Sequence, residues 1–259
     1  MSFASRTSPS QLIGVIIGLI VCGLIVRMVM AGGVEEFFNP TKQVENEIEA
    51  AMKSRPGDLA IIQAIETHFP EEYEAMLENM AEAAMGQQSG EAVADAGSSE
   101  LARFMARHPN DFAAAPDEAL SVVLQHEGTL LDGLLAQDPV LCSDYIMGRM
   151  QVDDPLPDSV LQLIGQSAAS KVKAMAAGRA DQQLRFKTTP ADLAALGETM
   201  RVRGASELQV SMFLSDSGAA EALDDIQRCE GAIHLVKGIE QQTAGRRALL
   251  VATFLTPAR

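Results

Sequence analysis

The chain has 259 residues, 35 of them acidic against 20 basic for a net charge of −15, with 47% hydrophobic residues, no Trp and two Tyr. Acidity on this scale repels nucleic-acid phosphates and anionic lipid headgroups. The shortage of aromatic platforms argues in addition against sugar or single-stranded nucleic-acid ligands.

Residues 1–10 form a short polar stub with Arg6, and residues 11–33 contain the apolar run Leu12–Ala31, broken only by Arg27. Twenty helical residues span about 30 Å, the hydrocarbon thickness of a bilayer. Arg27 lies near one end, where its stem can reach the headgroups. The run predicts a single transmembrane anchor. A cleaved signal peptide ending at Val29-Met30-Ala31 is the competing reading, opposed by the length of the run and by Arg27 just before the cleavage site. A lipoprotein site at Cys22 is opposed by the bulky Val21 before it.

Arg6 and the terminal amine on one side nearly balance Arg27 and Lys42 on the other, so the charge rule orients the anchor weakly. A short stub retained inside and a large exported body is the expected topology: a single-pass inner-membrane protein of the bacterial envelope with a periplasmic body. Ser10, Gly14, Gly18 and Cys22 recur every fourth residue, a small-residue face on which a second membrane helix, including that of another copy, can pack. Composition alone is the bland account of the same spacing.

Residues 34–259 hold all 35 acids and 18 of the 20 bases, a net of −17. Residues 34–100 hold 15 acids against Lys42, Lys53 and Arg55, a net of −12. Proline followed by acids marks helix starts at Pro70-Glu71-Glu72, Pro116-Asp117-Glu118 and Thr189-Pro190-Ala191-Asp192. Apolar residues then recur at three and four, as in Tyr73, Met76, Met80 and Ala84, or Leu161, Ile164, Ala168, Val172 and Met175. The expectation is an all-α body, with helices near 41–53, 58–68, 70–85, 99–108, 117–136, 139–149, 158–178, 190–202, 218–240 and 244–255. Leu208, Val210, Met212 and Leu214 alternate as a strand would, but no strand partner is evident and the stretch is assigned to helix. Gly86 to Gly90 and Ala96 to Ser99 suggest a linker over 87–99, between acidic membrane-proximal helices at 34–86 and a helical bundle at 100–259.

Three features of the body carry chemistry. Cys142 and Cys229 fall on the apolar stripes of their helices, either as two small core thiols or as a disulfide joining residues 87 apart. Glu127 interrupts the stripe Leu120, Leu124, Leu131, Leu134, with His126 beside it and Gly128 after it. A carboxylate so placed is paired locally or serves as an acid with a raised pKa. Glu71, Glu74, Glu78 and Glu82 line one helix face with no base between them, a solvated face or one that docks a basic partner. The four histidines lack metal-ligand spacing, and no nucleophile elbow or phosphate-binding glycine loop occurs, so no cofactor or metal is expected.

The first reading is a membrane-anchored helical scaffold or accessory protein that binds another envelope protein and needs no catalytic residue. The alternative is an envelope enzyme of the cell-wall hydrolase type, with Glu127 as its general acid and His126 adjacent.

Overall fold

The computed structural model describes residues 40–54, 56–87, 90–150, 156–215 and 218–257. Among them are α1 (Pro40–Lys53), α2 (Pro56–His68), α3 (Pro70–Gln87), α4 (Gly90–Arg107), α5 (Pro109–Ala113), α6 (Asp117–Gln137), α7 (Pro139–Met147), α8 (Asp158–Ala180), α9 (Pro190–Val202), α10 (Glu207–Leu214), α11 (Asp225–Glu240) and α12 (Ala244–Phe254), with a 3-10 turn at Ala219–Ala222. No strand occurs among the described residues. None of their helices is long and apolar enough to cross a membrane. The run Leu12–Ala31, with its Gly14, Gly18 and Cys22 face, lies outside the described residues.

The described residues divide into two compact units, one within Met1–His108, Gln151–Val172 and Pro257–Arg259, the other within Pro109–Met150 and Lys173–Thr256. The division runs between Val172 and Lys173, inside α8. In the first unit α3 packs on α1 and α4, and α2 on α1 and α3. Met52, Ile61, Ile62, Ile65, Met80 and Leu101 are fully buried there, the residues that the spacing of three and four places on one face of each helix. Phe69 meets Phe104 edge to face at 5.0 Å, and the His108 ring lies against both. His108 Nε2 is 3.0 Å from a Glu72 carboxylate oxygen.

A polar network ties three helices together. Lys53 reaches Glu49 at 2.7 Å and Glu66 at 2.8 Å, and the Tyr73 hydroxyl donates to Glu49 at 3.2 Å. The bond from Lys53 holds the Glu49 carboxyl below the usual range, and burial pushes the Tyr73 phenol up.

Two glycines let α8 approach α2. A Cβ on Gly165 would overlap the Gly57 carbonyl, and a Cβ on Gly57 would overlap the carbonyl of Leu161. The segment expected as a linker, 87–99, is helical from Gly90 onward, and α4 lies along α3. Gly97 and Glu100 are buried in it. Packing of α4 on α3 offsets the roughly 1 kcal/mol that a helical Gly costs relative to Ala.

In the second unit α11 packs on α6, α7, α9, α10 and α12. Its start is fixed by Asp224, which accepts from the Gln227 amide at 2.8 Å while the Gln227 side chain accepts from the Asp224 amide at 3.0 Å. The same reciprocal cap opens α9 at Thr189 with Asp192 and α10 at Ser206 with Gln209. Asp192 sits below the ordinary carboxyl range because of the bonds from Thr189, with Arg246 adding to them. The alternating stretch at 208–214 is therefore helix, as assigned, and α11 begins at Asp225 rather than 218, because Gly218 at φ 66° introduces the separate 3-10 turn. Near the end of α8, a Cβ on Gly178 would overlap the Asp111 carbonyl, so glycine again permits a close crossing.

Candidate functional site

Glu127 is 5% exposed, on the buried side of α6. The Tyr145 hydroxyl, from α7, donates to its Oε1 at 2.9 Å. The carboxylate thus lies among the buried residues of α6, with a phenol as one of its partners. His126 is half-buried on the same helix. Gly128 makes room for Val236 of α11, since a Cβ there would lie 3.2 Å from that side chain. The gap beside Glu127 is filled by core.

Cys142 of α7 and Cys229 of α11 are joined by a disulfide with their Cα atoms 5.7 Å apart, and both are fully buried. Arg228, next to Cys229, spans from the Ala220 carbonyl at 2.7 Å to Asp225 at 2.7 Å and Ser143 at 3.3 Å. The covalent link joins helices that already pack together.

Glu71, Glu74, Glu78 and Glu82 are exposed along α3, while Tyr73, Met76, Leu77, Met80 and Ala81 on its other side are buried. Glu72, set between the two faces, meets His108 and, at 3.4 Å, Arg107. The acid row is thus a continuous surface feature of the first unit. Arg246 bonds Asp192 at 3.0 Å, while Asp224 and Asp225 are occupied in capping α11 and holding Arg228.

One surface was not anticipated. From Gln182 to Thr189 the chain runs without helix, turn or bend. It is pinned by the Gln183 amide to the Ala114 carbonyl at 2.8 Å, by Arg185 to the Ala113 carbonyl at 2.9 Å and Asp117 at 2.6 Å, and by a hydroxyl contact between Thr188 and Thr253. Leu184 and Phe186 point the other way, 99% and 92% exposed. Beside this segment lies a cleft of about 500 Å³, walled on the far side by Leu249, Ala252 and Thr253 of α12 and floored by Ala113 and Ala114. The period-two alternation of Leu184, Arg185, Phe186 and Lys187 is the sequence feature that marks it, too short to stand out among long helices. Comparison of the chain with protein-family models, with curated proteins and with solved structures finds no match.

Proposed function

We propose that the protein is a helical scaffold or accessory subunit that binds another protein of the bacterial envelope, its body exported and tethered by the run Leu12–Ala31. The observation that carries the reading is the exposed row Glu71, Glu74, Glu78 and Glu82 on α3. Like charges four residues apart repel by a few tenths of a kcal/mol per pair, and a basic partner surface reverses that sign. The opposite face of α3 is committed to the core, so the acids form an outward face on a fixed helix.

The buried Cys142–Cys229 disulfide supports an oxidising compartment for the body. The Tyr145 bond to Glu127 supports binding over the alternative of acid catalysis, because a general acid must reach its substrate. Crosslinking in intact cells tests the reading. A basic protein recovered with the wild type and lost on Glu74→Lys with Glu78→Lys is the expected result. Recovery that is unchanged by charge reversal and by salt removes α3 as the docking face.

A further inference from the structure

We infer that the Cys142–Cys229 bond is made by an oxidised dithiol protein before the second unit closes, with Cys142 the thiol engaged first and Cys229 the one that completes the exchange. The inference rests on the exported body proposed above, and it makes that body the substrate of a thiol–disulfide oxidant. Three observations converge on it.

First, the finished fold leaves no approach to either sulfur. Exchange requires an incoming sulfur to reach the one that it attacks, so access governs its rate. Cys142 and Cys229 are both 0% exposed. Sγ of Cys142 lies 3.8 Å from the Leu131 carbonyl oxygen of α6, and Cys229 shares its face of α11 with the buried Ala232, Ile233 and Val236. Since α11 also packs on α6, α7, α9, α10 and α12, reaching the pair means opening the centre of the unit.

Second, the order of the chain leaves Cys142 waiting. It precedes Cys229 by 87 residues. α6 and α7 are consecutive and can pack as soon as both exist, whereas α11 ends only at Glu240. The unit draws on Pro109–Met150 and on Lys173–Thr256, so it cannot close until the later stretch has arrived. Over that interval Cys142 is not yet covered by α11 and has no partner thiol. The chain has three cysteines, and the third, Cys22, belongs to the apolar run, so one pairing alone is open to the body.

Third, the exchange balances with a single oxidant molecule. The Cys142 thiolate attacks one sulfur of the oxidant's disulfide, which breaks; a mixed disulfide forms, and one oxidant thiolate leaves and takes up a proton. The Cys229 thiolate then attacks Sγ of Cys142, forming the bond present in the fold and releasing the oxidant's second thiolate, which is protonated in turn. Two cysteine thiols lose two electrons and two protons, and the oxidant's disulfide gains them as a dithiol. An oxidant of the Cys-x-x-Cys class carries both sulfurs in one molecule.

The test uses the purified full chain in detergent, reduced and unfolded. An oxidised Cys-x-x-Cys protein is added in excess, either as the chain is diluted from denaturant or after it has refolded under reductant that is then removed. Acid quenching, denaturation and alkylation, mapped by mass at residues 142 and 229, read the bond. Expected is bond formation at least about a hundredfold slower in the refolded chain, whose opened fraction is the only substrate. Equal rates overturn the inference. A reduced chain that never regains protease resistance makes the bond a condition of closure and supports the same order of events.

In cells, pulse-labelled chains are divided at each time between acid quenching with alkylation and native protease treatment. Expected is loss of both thiols before protease resistance appears. Cys229→Ser should leave a reductant-sensitive adduct at Cys142, more abundant than the one that Cys142→Ser leaves at Cys229. Protease-resistant chains that carry both thiols and oxidise later overturn the inference while the exported body stands, as do the absence of the Cys142 adduct and equal adducts in the two variants. Thiols that stay free throughout overturn both readings together.

Discussion

The phenol of Tyr145 and the carboxylate of Glu127 are hydrogen-bonded at 2.9 Å between two packed helices, each side chain less than a tenth exposed. Removing the phenol takes a partner from a buried acid, whereas amidating the acid keeps an acceptor for the same donor. Tyr145→Phe should therefore cost roughly 1.5–3 kcal/mol, read from the denaturant midpoint at unchanged slope. Glu127→Gln should keep the fold and leave the recovery of partners in cells unaltered. Loss of a cellular function in a well-folded Glu127→Gln protein would revive the catalytic alternative.

The Cys142–Cys229 bond closes a sequence separation of 87. Replacing both cysteines by Ala should lower stability by about 2–5 kcal/mol through the freer unfolded chain. Alkylation of protein isolated without reductant and then denatured should leave both residues unmodified. Two alkylated thiols after denaturation without reductant would remove the support that this bond gives to an exported body.

Close crossings of α8 set a steric rule. Gly165→Ala should destabilise by at least about 2–3 kcal/mol, because the added carbon meets the backbone of Gly57 and not a flexible side chain. Gly178→Ala should do the same against Asp111. Gly86, where an added Cβ meets nothing within 4 Å, is the control, and Gly86→Ala should be neutral or stabilising. Thermal midpoints of the three variants decide the ordering.

His234 has its pKa lowered, by burial first and then by Arg203. The fold therefore favours the neutral ring, and below the ordinary value of 6.5 the unfolded chain binds more protons than the folded one. Its contribution is fully present above that pH and is lost as pH falls through 6.5 toward the lower folded value. His234→Gln should flatten the decline of the melting temperature between about pH 7 and pH 5. A decline as steep in the variant as in the wild type would assign the effect elsewhere.

Much of the helical architecture is legible because its punctuation is local. Pro70 with its following acids and Thr189-Pro190 with Asp192 mark starts that the structure places at the same residues. The caps that sequence reading passed over are of the same kind: Ser206 with Gln209 would have settled α10, and Asp224 with Gln227 would have moved the start of α11. Residues 90–99 were not legible for a different reason. Gly90, Gly97 and the two serines argue for a break by propensity, and the packing of α4 on α3 is a non-local contribution that propensity does not register.

The partner of Glu127 was likewise hidden, since nothing local links it to Tyr145, 18 residues on. The exposed segment was hidden by the lack of any long pattern. Only its contacts with Ala113, Ala114 and Asp117 reveal that Leu184 and Phe186 have been turned outward.

The two units are interleaved along the polypeptide, and the disulfide gives that interleaving a covalent consequence. A chain stopped at His108 lacks Val160, Ile164 and Val172, which the first unit draws from beyond residue 150. No single cut in the sequence releases either unit whole. The ring closed by Cys142 and Cys229 also encircles residues 156–172, so a nick by a protease anywhere between those cysteines leaves the two pieces joined until the bond is reduced. Sequence integrity and physical integrity are thus separated in this molecule, and gels run with and without reductant will tell them apart.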